Sequence, residues 1–168
     1  GQGSQAWGGA NIVRNIDALT IGTYNITLKV FDVSGNWIQD QVDVTVVDTT
    51  VPSINSPTDT GYELGSLGNS ITWIVGDLDP ANSELFIDGI GQGITGWAGG
   101  NINRNIDGLS LGPHNVTLKV FDTSGNWNQN EVVVTVSDST NPTIDNPVNT
   151  GYELGSTGNS ITWNPVDL

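Results

Sequence analysis

The sequence predicts an all-β fold, built as tandem β-sandwich repeats of about 90 residues. Three observations carry that expectation. Residues 1–78 return as residues 91–168 with about three positions in five identical, so Trp7 recurs as Trp97, Asn25 as Asn115 and Trp73 as Trp163. Apolar residues alternate with polar ones at a period of two, the signature of a strand with one buried face. Between these runs stand clusters of Gly, Asn, Asp and Pro, which punctuate short strands and interrupt helices.

Each element follows from the same logic. Ile102 and Ile106 mark a strand that runs into I-D-G-L-S-L-G, with Ile12 and Ile16 in the earlier copy. Residues 25–32 read NITLKVFD, setting Ile26, Leu28 and Val30 on one face and Asn25, Thr27, Lys29 and Phe31 on the other. The second copy keeps the pattern with Val116, Leu118 and Val120. The next run places Val42, Val44 and Val46 inward, matched by Val132, Val134 and Val136. D-x-S-G-N-W joins the two runs, its Gly supplying the positive φ of a hairpin turn. Residues 53–57 read as a short strand, Ile71 and Trp73 share a strand face, and Leu85 and Ile87 precede a D-G turn at Asp88 and Gly89. The sum is about seven short strands per repeat. Prolines at 52, 57, 142 and 147 sit at margins, where a missing N–H is tolerated.

These motifs resemble a known module. I-D-x-L-x-x-G-x-Y-x-I-T-L at 16–28, D-x-S-G-N, V-x-V-T-V-x-D-T-T-x-P at 42–52 and G-Y-E-L-G-S-x-G-N-S-I-T-W at 61–73 are similar to the tandem immunoglobulin-like repeats of prokaryotic, above all archaeal, cell-surface proteins. The resemblance implies immunoglobulin-like sandwiches acting as stalks, adhesin shafts or filament building blocks. It also implies that Tyr24 is a corner tyrosine whose hydroxyl bonds to backbone just upstream. The second copy carries His114 at that place, which puts the bond in question there.

The D-T-T-x-P linker at 48–52 recurs as D-S-T-N-P at 138–142, which frames the domains. Residues 1–50 read as the C-terminal part of one repeat, 51–140 as a complete repeat, and 141–168 as the N-terminal part of a further one. Neither partial repeat is expected to be stable alone, because two strands are marginal and half a sandwich leaves its apolar face wet. Their completion by adjacent repeats, or by strands of another copy, implies a head-to-tail assembly.

Composition bounds the function. Four basic residues stand against 18 acidic ones, a formal net charge of −14, which opposes binding to nucleic acid phosphates and anionic membranes. No apolar run is long enough to insert in a membrane as a helix. Cysteine is absent, so there is no disulfide framework or thiolate metal site.

Candidate chemistry is sparse. Asp48, Asp77, Asp79 and Asp122 are the candidate ligands of a Ca²⁺ ion at a domain end, since hard oxygen donors from several loops suit that ion; the alternative is solvated turn aspartates, and no D-x-D-x-D-G loop is present. Asn25 and Asn115 each open an N-x-T glycosylation sequon with outward parity. Trp73 and Trp163 have core parity; Trp37 and Trp127 follow a turn, and Trp7 and Trp97 lie in Gly-rich stretches open to contact. Arg14 and Arg104 share strand parity with isoleucines, so each guanidinium is expected to reach the sandwich edge or a carboxylate. His114 stands alone, no triad surrounds it, and the G-x-G runs at 1–3 and 91–93 open no helix. Asp77 and Asp79 have no cleft to work in as a glycosidase pair. Uniform copies argue against an enzyme and for a structural building block of an extracellular filament or cell-surface stalk. The alternative is an adhesin or carbohydrate-binding module, which predicts one divergent loop cluster.

Overall fold

The computed structural model describes residues 3–167; Gly1 and Gln2 of the first G-x-G run lie outside it. Among the described residues the regular elements are all strands, thirteen in chain order. The chain divides into two compact units, Gly1–Thr50 and Val51–Leu168.

The first unit carries β1 (Gly22–Phe31) and β2 (Trp37–Val46), paired antiparallel along their whole length from Gly22 opposite Val46 to Phe31 opposite Trp37. The predicted turn joins them. Gly35 adopts φ 85°, the Asp32 carbonyl accepts from Gly35 N at 3.2 Å, and the Asp32 carboxylate accepts from the Ser34 and Asn36 backbones. An L-residue is strained at that φ, which is why glycine stands there in both copies.

The second unit holds β3 (Ser53–Ile54), β4 (Thr60–Glu63), β5 (Ser70–Trp73), β6 (Val75–Gly76), β7 (Pro80–Ile87), β8 (Ile90–Gly96), β9 (Ile102–Asn105), β10 (Gly112–Asp122), β11 (Trp127–Ser137), β12 (Thr143–Ile144) and β13 (Pro165–Val166). A five-stranded sheet runs β4-β11-β10-β7-β8, and the pairs β3-β6 and β5-β9 make the opposing layer. Taking β3 with β4 as one strand that changes sheet, and β5 with β6 as one strand interrupted at Ile74, residues 51–140 show the seven strands of the sequence reading.

The core sits between the layers. Val116, Leu118 and Val120 of β10 and Val132 and Val134 of β11 meet Ile71 and Trp73 of β5, Ile102 of β9, Ile106, Leu85 and Trp97. Trp73 is 0% exposed. Truncating a side chain of that size in a packed core costs about 3–5 kcal/mol. Its indole N–H stays satisfied, donating to Asn130 Oδ1 at 2.9 Å.

β4 pairs with β11 in parallel, Thr60 opposite Val134 through Glu63 opposite Ser137. Gly61 permits the approach: a Cβ on it would stand 2.6 Å from the Thr135 carbonyl oxygen. The contact continues on both sides. Asp59 Oδ1 accepts from Val133 N at 2.9 Å, Leu64 N donates to Ser137 O at 2.7 Å, and the Glu63 carboxylate accepts from Ser139 N, Ser139 Oγ and Thr140 Oγ1. Residues 141–167 pair β12 with β13, Thr143 opposite Val166, and Asn164 donates to the Asp145 carboxylate beside them.

Candidate interaction surface

The repeat allows one face to be seen covered and its copy to be seen bare. On β10 and β11 the inward residues Val116, Leu118, Val120, Val132 and Val134 are completely buried, with Val136 close behind. Their copies on β1 and β2 are Ile26, Leu28, Val30, Val42, Val44 and Val46. Strand parity puts these six on one face too, but five are only partly buried and Val42 is 55% exposed. The difference is not in the hairpin, whose register is the same in both copies. It lies in the opposing layer, which residues 53–106 supply to β10 and β11.

A polar rim fixes how that layer seats. Asn130 Oδ1 accepts from the Trp73 indole while its Nδ2 donates to Ser56 Oγ at 3.0 Å. Asn128 Nδ2 donates to Pro52 O, and the Asp59 carboxylate caps the backbone N–H of Val133. The chain carries a second copy of the seating segment at 143–166. There Ile161 and Tyr152 are exposed and Trp163 is 53% exposed, against 0% for Trp73.

The acidic residues take ordered places. Asp122 is 3% exposed; its Oδ1 accepts from Asn126 N and its Oδ2 from Asn126 Nδ2, both at 2.8 Å. Asp79 Oδ2 accepts from Thr123 Oγ1 at 2.6 Å and the Asp79 carbonyl from Thr123 N, tying the loop before β7 to the loop after β10. Asp77 Oδ1 accepts from Asp79 N, and one Asp77 oxygen lies within 4.8 Å of one from Asp122. In the first unit Asp48 Oδ1 accepts from Thr50 N at 2.8 Å. The turn roles weighed in the sequence are thus present, and the second unit brings Asp77 and Asp122 together.

The two sequons differ in surroundings. Asn25 Nδ2 donates to Asp43 Oδ1 at 2.6 Å, and Thr27 Oγ1 reaches Asn25 Oδ1 at 3.3 Å. Asn115 is exposed and faces Val133 across the hairpin, with its backbone held by Asp88: Asn115 N donates to Asp88 Oδ1 and Asp88 N to Asn115 O.

Tyr24 forms the corner expected of it, its hydroxyl donating to Thr20 O at 2.9 Å. His114 makes the equivalent contact, Nε2 to Ser110 O at 2.8 Å, so the bond that the substitution put in question is replaced rather than lost. Its Nδ1 lies 2.7 Å from Asp88 Oδ2. A carboxylate and a carbonyl only accept, so the imidazolium donates to both, while the Ser110 hydroxyl, 3.3 Å from Nε2, offers the neutral ring a donor. The Asp88 hydrogen bond, then that of Ser110, raises the His114 pKa above its ordinary 6.5, and the same contact lowers Asp88.

Three features escaped the sequence reading. Trp97 is 6% exposed and part of the core, its indole donating to Gly100 O, whereas Trp7 is exposed. Lys29 Nζ lies 3.5 Å from the ring centroid of Trp37 and 5.1 Å from that of Phe31; Lys119 repeats this over Trp127 at 3.7 Å and Phe121 at 5.1 Å. The shared outward parity of Lys29 and Phe31, with Trp37 opposite Phe31 in the hairpin, is the signal that finds them. Asp107 accepts from Gly68 N, Asn105 Nδ2, and both nitrogens of Asn69, and these bonds, Gly68 first, hold its pKa down to about 2. The arginines reach neutral partners: Arg104 donates to the buried Ser83 Oγ at 2.9 Å and Arg14 to Gln5 Oε1 at 2.9 Å.

No family model matches the chain, and no curated protein matches it. Among solved structures the chain is similar to the fibronectin(III)-like modules of Clostridium thermocellum CbhA, at 17% identity and a TM-score of 0.44 over 72% of this chain and 65% of that one. It is similar to a Jonesia denitrificans lytic polysaccharide monooxygenase at 17% identity and a TM-score of 0.35, over 47% of this chain and 58% of that one. A third likeness is to Bacteroides ovatus SGBP-B of a mixed-linkage glucan utilization locus, in complex with a mixed-linkage heptasaccharide: 19% identity, a TM-score of 0.29, 84% of this chain and 35% of that one. The chain thus spans less than two thirds of the length of each of these chains.

Proposed function

We propose that the chain is a non-catalytic structural segment of an extracellular filament or cell-surface stalk, of the kind its motifs resemble on prokaryotic and archaeal surfaces. In it immunoglobulin-like sandwiches follow one another head-to-tail, and a partial sandwich is completed by strands of an adjacent repeat or another copy. One observation carries this reading. The inner face of β1–β2 is exposed or partly so, while the same residues on β10–β11 are buried beneath strands that residues 53–106 provide. An apolar sheet face of that kind requires cover. The test is a chain extended at its N-terminus by a second copy of residues 51–90, which restores the strand order that precedes residue 91. Amide hydrogen exchange is expected to slow in β1–β2 to the level of β10–β11. Rapid exchange persisting there overturns the reading.

The second reading, an adhesive or carbohydrate-binding surface module, is favoured by the exposed rings of Trp37 and Trp127 in identical settings. It predicts glycan binding that Trp127→Ala abolishes, measured by calorimetry. Calcium at the candidate ligands Asp77, Asp79 and Asp122 is proposed as a stiffener, supported by the approach of Asp77 to the buried Asp122. It predicts a calcium-dependent rise in melting temperature that Asp77→Asn removes. Glycans at Asn25 and Asn115 are proposed likewise, with intact-mass measurement of the native protein as the check.

A further inference from the structure

The copies are not identical where the seating segment meets the hairpin, and the differences come in matched pairs. In the complete repeat the Asp59 carboxylate caps Val133 N. The first unit has Asp43 in place of Val133, and the segment at 143–166 has Asn149 in place of Asp59. An aspartate at both places sets two carboxylates side by side; Asn149 keeps the accepting oxygen and drops the charge. A second pair behaves alike. Asn130 accepts from the Trp73 indole and donates to Ser56. Its copy is Asp40, which only accepts, and the copy of Ser56 is Asn146, which brings amide N–H donors. The Trp163 indole then meets a charged acceptor, a stronger bond than the amide receives. One rim contact is not matched: Asn128 becomes Ile38, which has nothing to donate to Pro142 O.

We propose that residues 143–166 of a second copy seat on β1–β2 in the register that residues 53–76 hold on β10–β11, with Asn149 against Asp43 and with Trp163 and Asn146 against Asp40. This rests on the reading of completion by neighbouring polypeptide given above, and it names the partner and its register. Residues 53–76 show the fit on a near-identical face, and the segment at 143–166 leaves Trp163, Ile161 and Tyr152 exposed. Its substitutions answer the added negative charge of Asp40 and Asp43.

The experiment is sedimentation velocity of the full chain over a range of concentrations, for the wild type, Trp163→Ala, Asn149→Asp, Asp43→Val and the double variant Asp43→Val/Asn149→Asp. None of these positions lies within residues 51–140, so the melting of the complete repeat serves as the folding control. The wild type is expected to associate and Trp163→Ala to remain monomeric. Asn149→Asp is expected to weaken association about tenfold at low salt by restoring the carboxylate pair, and the double variant to recover to within about threefold of the wild type. Association of the wild type with a silent Asn149→Asp, or with no recovery in the double variant, overturns the register and leaves the reading of completion intact. A wild type that stays monomeric overturns the second copy as occupant, while the N-terminally extended chain decides the broader reading independently.

Discussion

The same leucine occurs in two settings, which makes a matched pair of substitutions the most direct measurement. Leu118 is 0% exposed and packs among Trp73, Ile71 and the valines of β11. Leu28 occupies the equivalent place on β1, with equivalent cross-strand neighbours, and is only partly buried. Leu118→Ala removes three heavy atoms and leaves a cavity in a layer held from both sides, a cost of about 2–5 kcal/mol. For a domain of this size 1 kcal/mol shifts the midpoint by about 4–8 °C, so a mid-range loss of about 3 kcal/mol lowers the melting temperature by about 12–24 °C. Leu28→Ala opens no cavity in the dilute chain and is expected to leave the same transition within about 2 °C. Scanning calorimetry at micromolar concentration reads both, with near-ultraviolet dichroism reporting the buried Trp73 and Trp97. Raising the concentration should make Leu28→Ala costly wherever the hairpin face becomes covered. Equal losses in the two variants at high dilution refute the claim that only one copy of the face is sealed.

Three further outcomes follow from the geometry. The folded state raises the His114 pKa, so its stabilisation is complete below the ordinary 6.5 and fades as pH climbs through the raised value; melting temperature should fall on the alkaline side, and His114→Tyr, which rebuilds the corner with a hydroxyl, should flatten that limb. Asp107 runs the opposite way, its contribution present above the ordinary 3.8 and lost as pH falls through about 2, so acid titration of Asp107→Asn followed by dichroism should show a shallower loss between those values from a lower starting stability. Gly61→Ala forces a Cβ against the Thr135 carbonyl and should cost about 1–3 kcal/mol in chemical denaturation, with faster amide exchange at Val133 and Leu64.

What was legible in the chain was whatever obeys a short period. The alternation of Ile26, Leu28 and Val30 with polar neighbours fixed a face for each residue, and D-x-S-G-N located the turn because one glycine must take a positive φ. Trp73 could be placed in the core for the same reason. Trp97 could not, since its Gly and Ala neighbours display no period; its backbone N–H donates to Ala81 O, and its side chain joins the core cluster with Leu85 and Ile102. Asp107 reads as an ordinary turn aspartate; its role appears only when a loop 38 residues earlier presents Gly68 and Asn69 to it. The parallel pairing of β4 was equally hidden, because T-G-Y-E carries too few residues to alternate, and its significance lies in where β11 arrives. Candidate ligands were named by residue type, which carries no geometry and did not foresee that Asp79 is engaged by Thr123.

The parallel contact between β4 and β11 has a mechanical meaning. In residues 51–140 the chain first forms β3, paired with β6, then β4, and ends beyond β11; β4 and β11 run the same way side by side. Tension applied between the start of β4 and the end of β11 slides one strand along the other, so that the Thr60–Glu63 ladder, the Asp59 cap, the Leu64 bond and the Glu63 clasp on Ser139 and Thr140 resist in unison. Antiparallel hairpin partners such as β10 and β11, pulled at their open ends, would instead peel apart one bond at a time. Once the short β3–β6 pair has given way, the β4–β11 contact meets a pull in shear, and β4 is held by its whole length.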